Sequence, residues 1–109
     1  MSLVKIHAGA LADLPSGEGR RLDTDPPVAV FHLDGEVFAL ADQCTHGDAS
    51  MADGYVEEDC TVECPLHAAR FCLRTGAALS QPAYIDLATY PVSIEAGQIY
   101  VTLGGPAQP

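Results

Sequence analysis

The sequence predicts an all-β fold, an antiparallel sandwich or small barrel of short strands. Three observations carry this. Apolar and polar residues alternate along most of the patterned segments. Turn-forming pairs recur at close spacing between those segments. No segment of 10 or more residues shows the spacing of an amphipathic helix.

Taken in order, Leu3 to His7 (LVKIH) alternates and reads as a first strand. Ala8 to Leu14 has room for one helical turn, stopped by Pro15 and Gly17. Gly19 and Asp25-Pro26-Pro27 then mark a loop. Val28 to Leu33 and Glu36 to Leu40 flank Asp34-Gly35, a strong hairpin signal because both turn positions accept positive φ. Thr61 to Glu63 is a short strand. Arg70 to Leu73 and Ala77 to Leu79 flank Thr75-Gly76, a second hairpin. Pro91 to Glu95 and Gln98 to Leu103 flank Ala96-Gly97, a third. Residues 104–109 (GGPAQP) read as a flexible tail. The segment from Asp42 to Pro65 stands apart as long, acidic and weakly patterned, and such connections in small domains usually carry function.

A chain of 109 residues suits a single domain, 1–109. Apolar residues make up 48%, enough for a packed core. Fifteen acidic side chains against five basic ones give a formal charge of −10, which repels phosphate and argues against nucleic acid and anionic membranes. No apolar run approaches the roughly 20 residues that span a bilayer. The first residues lack the form of a signal peptide, so a cytoplasmic, reducing location is expected. There, the four cysteines are expected to be metal ligands or plain thiols.

Two short motifs organise those cysteines. Cys44-Thr45-His46-Gly47 precedes Cys64-Pro65-Leu66-His67, with 17 residues intervening between His46 and Cys64. Two thiolates and two imidazoles complete a tetrahedral shell, so structural zinc fits. A [2Fe–2S] cluster with His in place of Cys on one iron fits as well. Zinc fingers tend to take two cysteines from one turn and two histidines from a helix. Here each turn supplies one of each, which favours the two-iron cluster.

At these residues the sequence resembles a known family. CTHG at 44–47 with CPLH at 64–67 looks like the Rieske motif pair. The surrounding residues, through TYPVSIEAGQIYV near the end, resemble the small Rieske ferredoxins of bacterial aromatic-ring dioxygenases. The resemblance is weakest over residues 8–27. It implies a Rieske fold, an antiparallel β-sandwich with a small cluster-binding subdomain built on loops near 42–51 and 63–72. It also implies Cys44 and Cys64 on one iron, His46 and His67 on the outer iron, and a proline loop at Ser80-Gln81-Pro82. The implied function is one-electron carriage from an NAD(P)H-dependent flavoprotein reductase to a terminal Rieske oxygenase, by a monomeric carrier that is not itself an enzyme. Alternatives are the small Rieske subunit of an assimilatory nitrite reductase and a structural Cys2His2 zinc module.

Departures from the respiratory Rieske proteins are informative. Their extra disulfide cysteines correspond to Ala49 and Leu66 here. Their Ser and Tyr hydroxyls, which bond to cluster sulfur and a ligand thiolate, correspond to Ala69 and Phe71. Fewer donors leave more negative charge on sulfur, so a reduction potential near the low end of the Rieske range, roughly −150 mV, is expected.

The remaining polar residues read as follows. Cys60 and Cys72 fall outside the motif and read as partly buried thiols. His7 and His32 read as ordinary strand residues. Asp48, Asp53, Glu57, Glu58, Asp59 and Glu63 read as a solvated acidic loop, or alternatively as a docking rim for basic partners. Ala49, Met51, Leu66 and Pro82 read as an apolar collar that excludes water around the cluster and contacts a partner, or alternatively as ordinary packing. Arg70 and Arg74 are expected to pair with nearby acids.

Overall fold

The computed structural model describes residues 3–24, 26–44, 49–66, 69–80 and 85–103. The described residues hold ten strands: β1 (Val4–Ala10), β2 (Glu18–Leu22), β3 (Val28–Leu33), β4 (Glu36–Ala41), β5 (Tyr55–Glu57), β6 (Thr61–Glu63), β7 (Arg70–Cys72), β8 (Thr89–Tyr90), β9 (Val92–Glu95) and β10 (Gln98–Leu103). They form three sheets, ordered β1-β10-β9, β2-β3-β4-β8 and β5-β6-β7, with antiparallel neighbours throughout. The only helical pieces among the described residues are two 3₁₀ turns, Leu11–Asp13 and Met51–Asp53. No described helix is long and apolar enough to cross a membrane.

The central sheet explains the layering. On β3, Val28, Ala29, Val30 and Phe31 are all fully buried. Such a continuous apolar run is what a strand covered on both faces needs. Alternate residues then serve different cores, because successive side chains point to opposite faces. Val28 and Val30 join Ala39, Ala8, Ile99 and Val101 in a core shared with the β1-β10-β9 sheet. Ala29 and Phe31 join Leu40, Met51, Val62, Phe71, Leu73 and Leu87 in a second core shared with the β5-β6-β7 sheet. Burying an aromatic side chain such as Phe31 is worth about 2–3 kcal/mol. One strand thus holds the sandwich on one face and the small subdomain on the other.

Two predicted hairpins form as expected. Asp34 and Gly35 have φ of 50° and 88°, and Ala96 and Gly97 have 50° and 77°. Both positions of each turn are left-handed, which matches the right-handed strand twist. The Thr75-Gly76 turn closes a shorter ladder than expected. Cys72 N–H donates to Ala77 O at 2.9 Å and Leu79 N–H to Arg70 O at 2.8 Å, but the return arm is a single bridge, Phe71 to Ala78.

Besides the two-residue β8, two strands lie where sequence reading gives loops. β2 contains Gly19, a residue unfavourable in strands. A Cβ there would meet the Phe31 ring at 2.8 Å and Ala52 O at 2.9 Å, so glycine lets the strand lie close against the core. Arg20, next to it, turns onto backbone, donating to Ala8 O at 2.8 Å and Asp13 O at 3.2 Å. β5 lies inside the weakly patterned segment and exists by pairing with β6, Val56 opposite Val62. In both cases pairing with a partner strand overrides weak local preference.

Candidate metal centre

Two loops rise from the second core. The first leaves β4 through Asp42, Gln43 and Cys44 and returns through Ala49 and Ser50 into the Met51–Asp53 turn. The second leaves β6 at Cys64 and returns at Ala69 into β7. The loops close in the same way. Cys44 N–H donates to Ala49 O at 3.0 Å, and Cys64 N–H donates to Ala69 O at 2.7 Å. Each cysteine therefore sits at the mouth of a loop whose ends are tied together.

Cys44 and Cys64 are 2% and 1% exposed and belong to the same packed core. Two polarisable thiols gathered in one apolar core, each heading a closed loop, suit a buried iron held by two thiolates. His46 and His67 lie outside the described residues, as do Gln81 and Pro82 of the proline loop, Asp48, and the tail 104–109. The described arm of the proline loop does reach the second ligand loop, where Ser80 Oγ accepts a hydrogen bond from Arg70 N–H at 3.0 Å.

The first loop has a brace that sequence reading missed. Asp42 is 2% exposed, the only acidic side chain in the described core. Its Oδ1 accepts from Ser50 Oγ at 2.8 Å and from Ala52 N–H at 3.0 Å. Its backbone donates to Pro27 O at 3.0 Å and accepts from Met51 N–H at 2.6 Å. Arg21 Nε lies 3.7 Å from Oδ2 and 3.2 Å from the exposed Asp23. The signal in the sequence was faint: one acid before a Cys-x-His pair.

The other candidates sort clearly. Ala69 and Phe71 are fully buried, and as alanine and phenylalanine they bring no hydroxyl to this core. Of the expected apolar collar, Leu66 is exposed, at 59%, whereas Ala49 and Met51 are core residues. Arg70 pairs with Glu63 at 3.5 Å and Arg74 with Glu36 at 2.6 Å, as expected. His7 Nε2 contacts Gln98 Oε1 at 2.7 Å. His32 organises the first hairpin: Nδ1 donates to Leu14 O at 2.7 Å while Nε2 accepts from Gly35 N–H at 3.0 Å. Asp53, Glu58 and Asp59 are exposed, and Glu57 and Glu63 are half-buried.

Cys60 and Cys72 are half-buried thiols beside the β6–β7 ladder. Burial pushes the Cys60 thiol up, and Cys72, Glu36 and Asp59 add to this against the opposing charge of Arg74. Burial acts the same way on Cys72, but hydrogen bonds from Thr75 and Arg74, with the Arg74 charge, outweigh it and hold that thiol below the usual range.

An antiparallel sandwich carrying a separate three-stranded subdomain, with the two cysteines that head its loops buried in one core, has the architecture of an iron–sulfur protein of the Rieske type. The pattern of the Rieske [2Fe-2S] domain matches residues 5–91, and the chain belongs to that family. Its family cofactor is the Rieske [2Fe–2S] cluster. The chain is 54% identical over 99 residues to the 3-phenylpropionate/cinnamic acid dioxygenase ferredoxin subunit of Escherichia coli (strain K12), covering 91% of this chain and 93% of that one. It superposes with TM-score 0.85 and 32% identity on a chain from the complex of reduced oxygenase and oxidised ferredoxin in carbazole 1,9a-dioxygenase, covering 90% and 92% of the two chains. A protein from Mycobacterium tuberculosis assigned as an NADH-dependent nitrite reductase small subunit shares the fold at TM-score 0.86 and 27% identity, over 96% and 99%.

Proposed function

We propose that this chain is a one-electron carrier that delivers electrons to the terminal oxygenase of an aromatic-ring dioxygenase system. We assign Cys44, His46, Cys64 and His67 as the cluster ligands, within a single functional domain, 1–109, whose cluster loops span about 42–51 and 63–72. The electron source in this reading is an NAD(P)H-dependent flavoprotein reductase, and the setting is the cytoplasm. The carrier acts as a monomer.

The observation that carries the reading is the pair of buried cysteines, each closing its own loop within one core. When bound, the cluster supplies reversible one-electron chemistry without a substrate pocket or general base. The chain's own residues hold it. The loop-closing bonds at Cys44 and Cys64 fix where the thiolates point. Phe31, Met51, Val62 and Phe71 in the same core exclude water from that side. Leu66, Leu79 and Ile85, 59%, 53% and 56% exposed, leave apolar surface on and near the ligand and proline loops, for contact with a partner. The relatives weigh toward the dioxygenase ferredoxins, with 54% identity against 27% for the nitrite reductase small subunit.

The deciding experiment measures iron, acid-labile sulfide and zinc, the EPR spectrum of the dithionite-reduced protein, and stimulation of an aromatic-ring dioxygenase in a reconstituted assay. Equal iron and sulfide with a Rieske-type signal and stimulated turnover are expected. A colourless zinc protein, or a Rieske protein that supports only a nitrite reductase, overturns the reading.

A further inference from the structure

The sequence reading gives Asp42 no role, yet it is the most heavily engaged acid in the described core. Its side chain is 3% exposed and accepts from both Ser50 and Ala52 on the return arm of the first loop. An asparagine would accept the same two bonds. What only aspartate adds is a negative charge, and burying one is costly unless it is paired. The pairing here is incomplete. Arg21 stands at 3.7 Å and shares itself with Asp23. Outside the pair lies a cleft of about 210 Å³ lined by Arg21, Pro27, Asp42, Gln43, Ala49 and Ser50. The carboxylate is thus buried on the loop side, while its cation is half in solvent.

We propose that Asp42 is the positioning residue of the first cluster loop, and that its buried charge, partly offset by Arg21, holds the reduction potential of the centre down. The inference rests on Cys44 being a cluster ligand. Adding one electron to the centre adds one negative charge. A fixed carboxylate two residues from the ligand opposes that charge through a low-dielectric core. Arg21 opposes the carboxylate. The two substitutions therefore act with opposite sign.

The test is redox titration of Asp42→Asn and Arg21→Gln holoproteins, with EPR and visible spectra recorded on each. Asp42→Asn is expected to keep the cluster and move the oxidised–reduced equilibrium about three- to tenfold toward the reduced form, tenfold being 59 mV for one electron. Arg21→Gln is expected to move it the other way by a smaller factor. A cluster-retaining Asp42→Asn protein with an unchanged or lowered midpoint overturns the proposal. Should Asp42→Asn fail to hold a cluster, Arg21→Gln decides alone, and an unchanged or raised midpoint overturns the proposal. Failure of the ligand assignment is separately visible, because Cys44→Ser would then keep a native spectrum.

Discussion

The two cluster loops share one closing bond and differ in most of what supports it. In both, the cysteine N–H reaches back to an alanine carbonyl, Cys44 to Ala49 and Cys64 to Ala69. The second loop is otherwise held by the β6–β7 ladder below it, the Ser80 hydroxyl beside it and a partly exposed Glu63–Arg70 ion pair across its stem, in which the two charges offset each other. In place of a ladder the first has a single Gln43–Ser50 bridge. β4 runs into it directly, and a buried carboxylate ties its two arms together. A ladder spreads the task of holding a loop over several backbone bonds, whereas a carboxylate concentrates it in one residue and brings a charge with it. The loops are therefore unequal in two ways, in their sensitivity to single substitutions and in their electrostatic effect on what they hold.

The largest expected effect ignores the inequality. Cys44→Ser and Cys64→Ser should each abolish the cluster spectrum, while Cys60→Ser and Cys72→Ser should leave it, as read by iron content and EPR. Loss of the cluster on changing Cys60 or Cys72 would break the assignment of both loops. Next in size comes the comparison itself. Asp42→Ala leaves the Ser50 hydroxyl and Ala52 N–H without their acceptor and should destabilise the protein by about 2–4 kcal/mol. Ser80→Ala removes a single acceptor at the second loop and should cost about 1 kcal/mol. Urea unfolding of the holoproteins measures both, and equal losses would erase the distinction.

A third prediction tests the second loop's missing hydroxyls. Phe71→Tyr and Ala69→Ser add a donor at positions that lack one, and each should raise the midpoint potential, on the order of 50 mV. Redox titration checks this, and a lowered midpoint would contradict the donor argument. A smaller effect concerns the stem of that loop. Near neutral pH Cys72 should be alkylated faster than Cys60, because its thiol is held low and that of Cys60 is pushed up. Peptide mass mapping of brief labelling reads the ratio.

The smallest effect is at the surface. The Arg74 guanidinium hydrogen-bonds Glu36 and holds its carboxyl below the usual range. Folded-state depression means this contribution is present above the ordinary carboxylate pKa and fades as pH falls through the lowered one. Glu36→Gln should therefore flatten the acid end of the stability profile and leave stability at neutral pH nearly unchanged, because exposed pairs contribute little.

Much of this was legible before any coordinates. The Asp34-Gly35 and Ala96-Gly97 turns declare themselves because left-handed backbone is a local demand that few residues meet. The cysteines could be divided into two groups because ligand spacing is a local property too. β2 and β5 were not legible. Their residues favour strand weakly, and they owe their form to β3 and β6, partners that alternation within the segment does not reveal. Whether Met51 and Ala49 form a collar or pack in the core could not be read for a similar reason. A small apolar residue in a loop looks the same whether it faces solvent or the core, and here both face the core. Asp42 was hidden among fifteen acidic residues, since its place before a Cys-x-His pair is the single sign that sets it apart from the exposed ones.

The membership of Cys44 and Cys64 in the second core has a consequence for the life of the metal centre. Phe31, Leu40, Met51, Val62 and Phe71 pack in the same cluster as the two thiols. With those thiols as ligands, iron cannot be inserted or withdrawn from that side unless the packing opens. Chelators should then strip the protein at the rate at which the small subdomain breathes, independent of their own concentration once that is high. Assembly faces the same gate from the other direction. The centre is best installed before the subdomain closes over it, so maturation belongs to the folding of the chain.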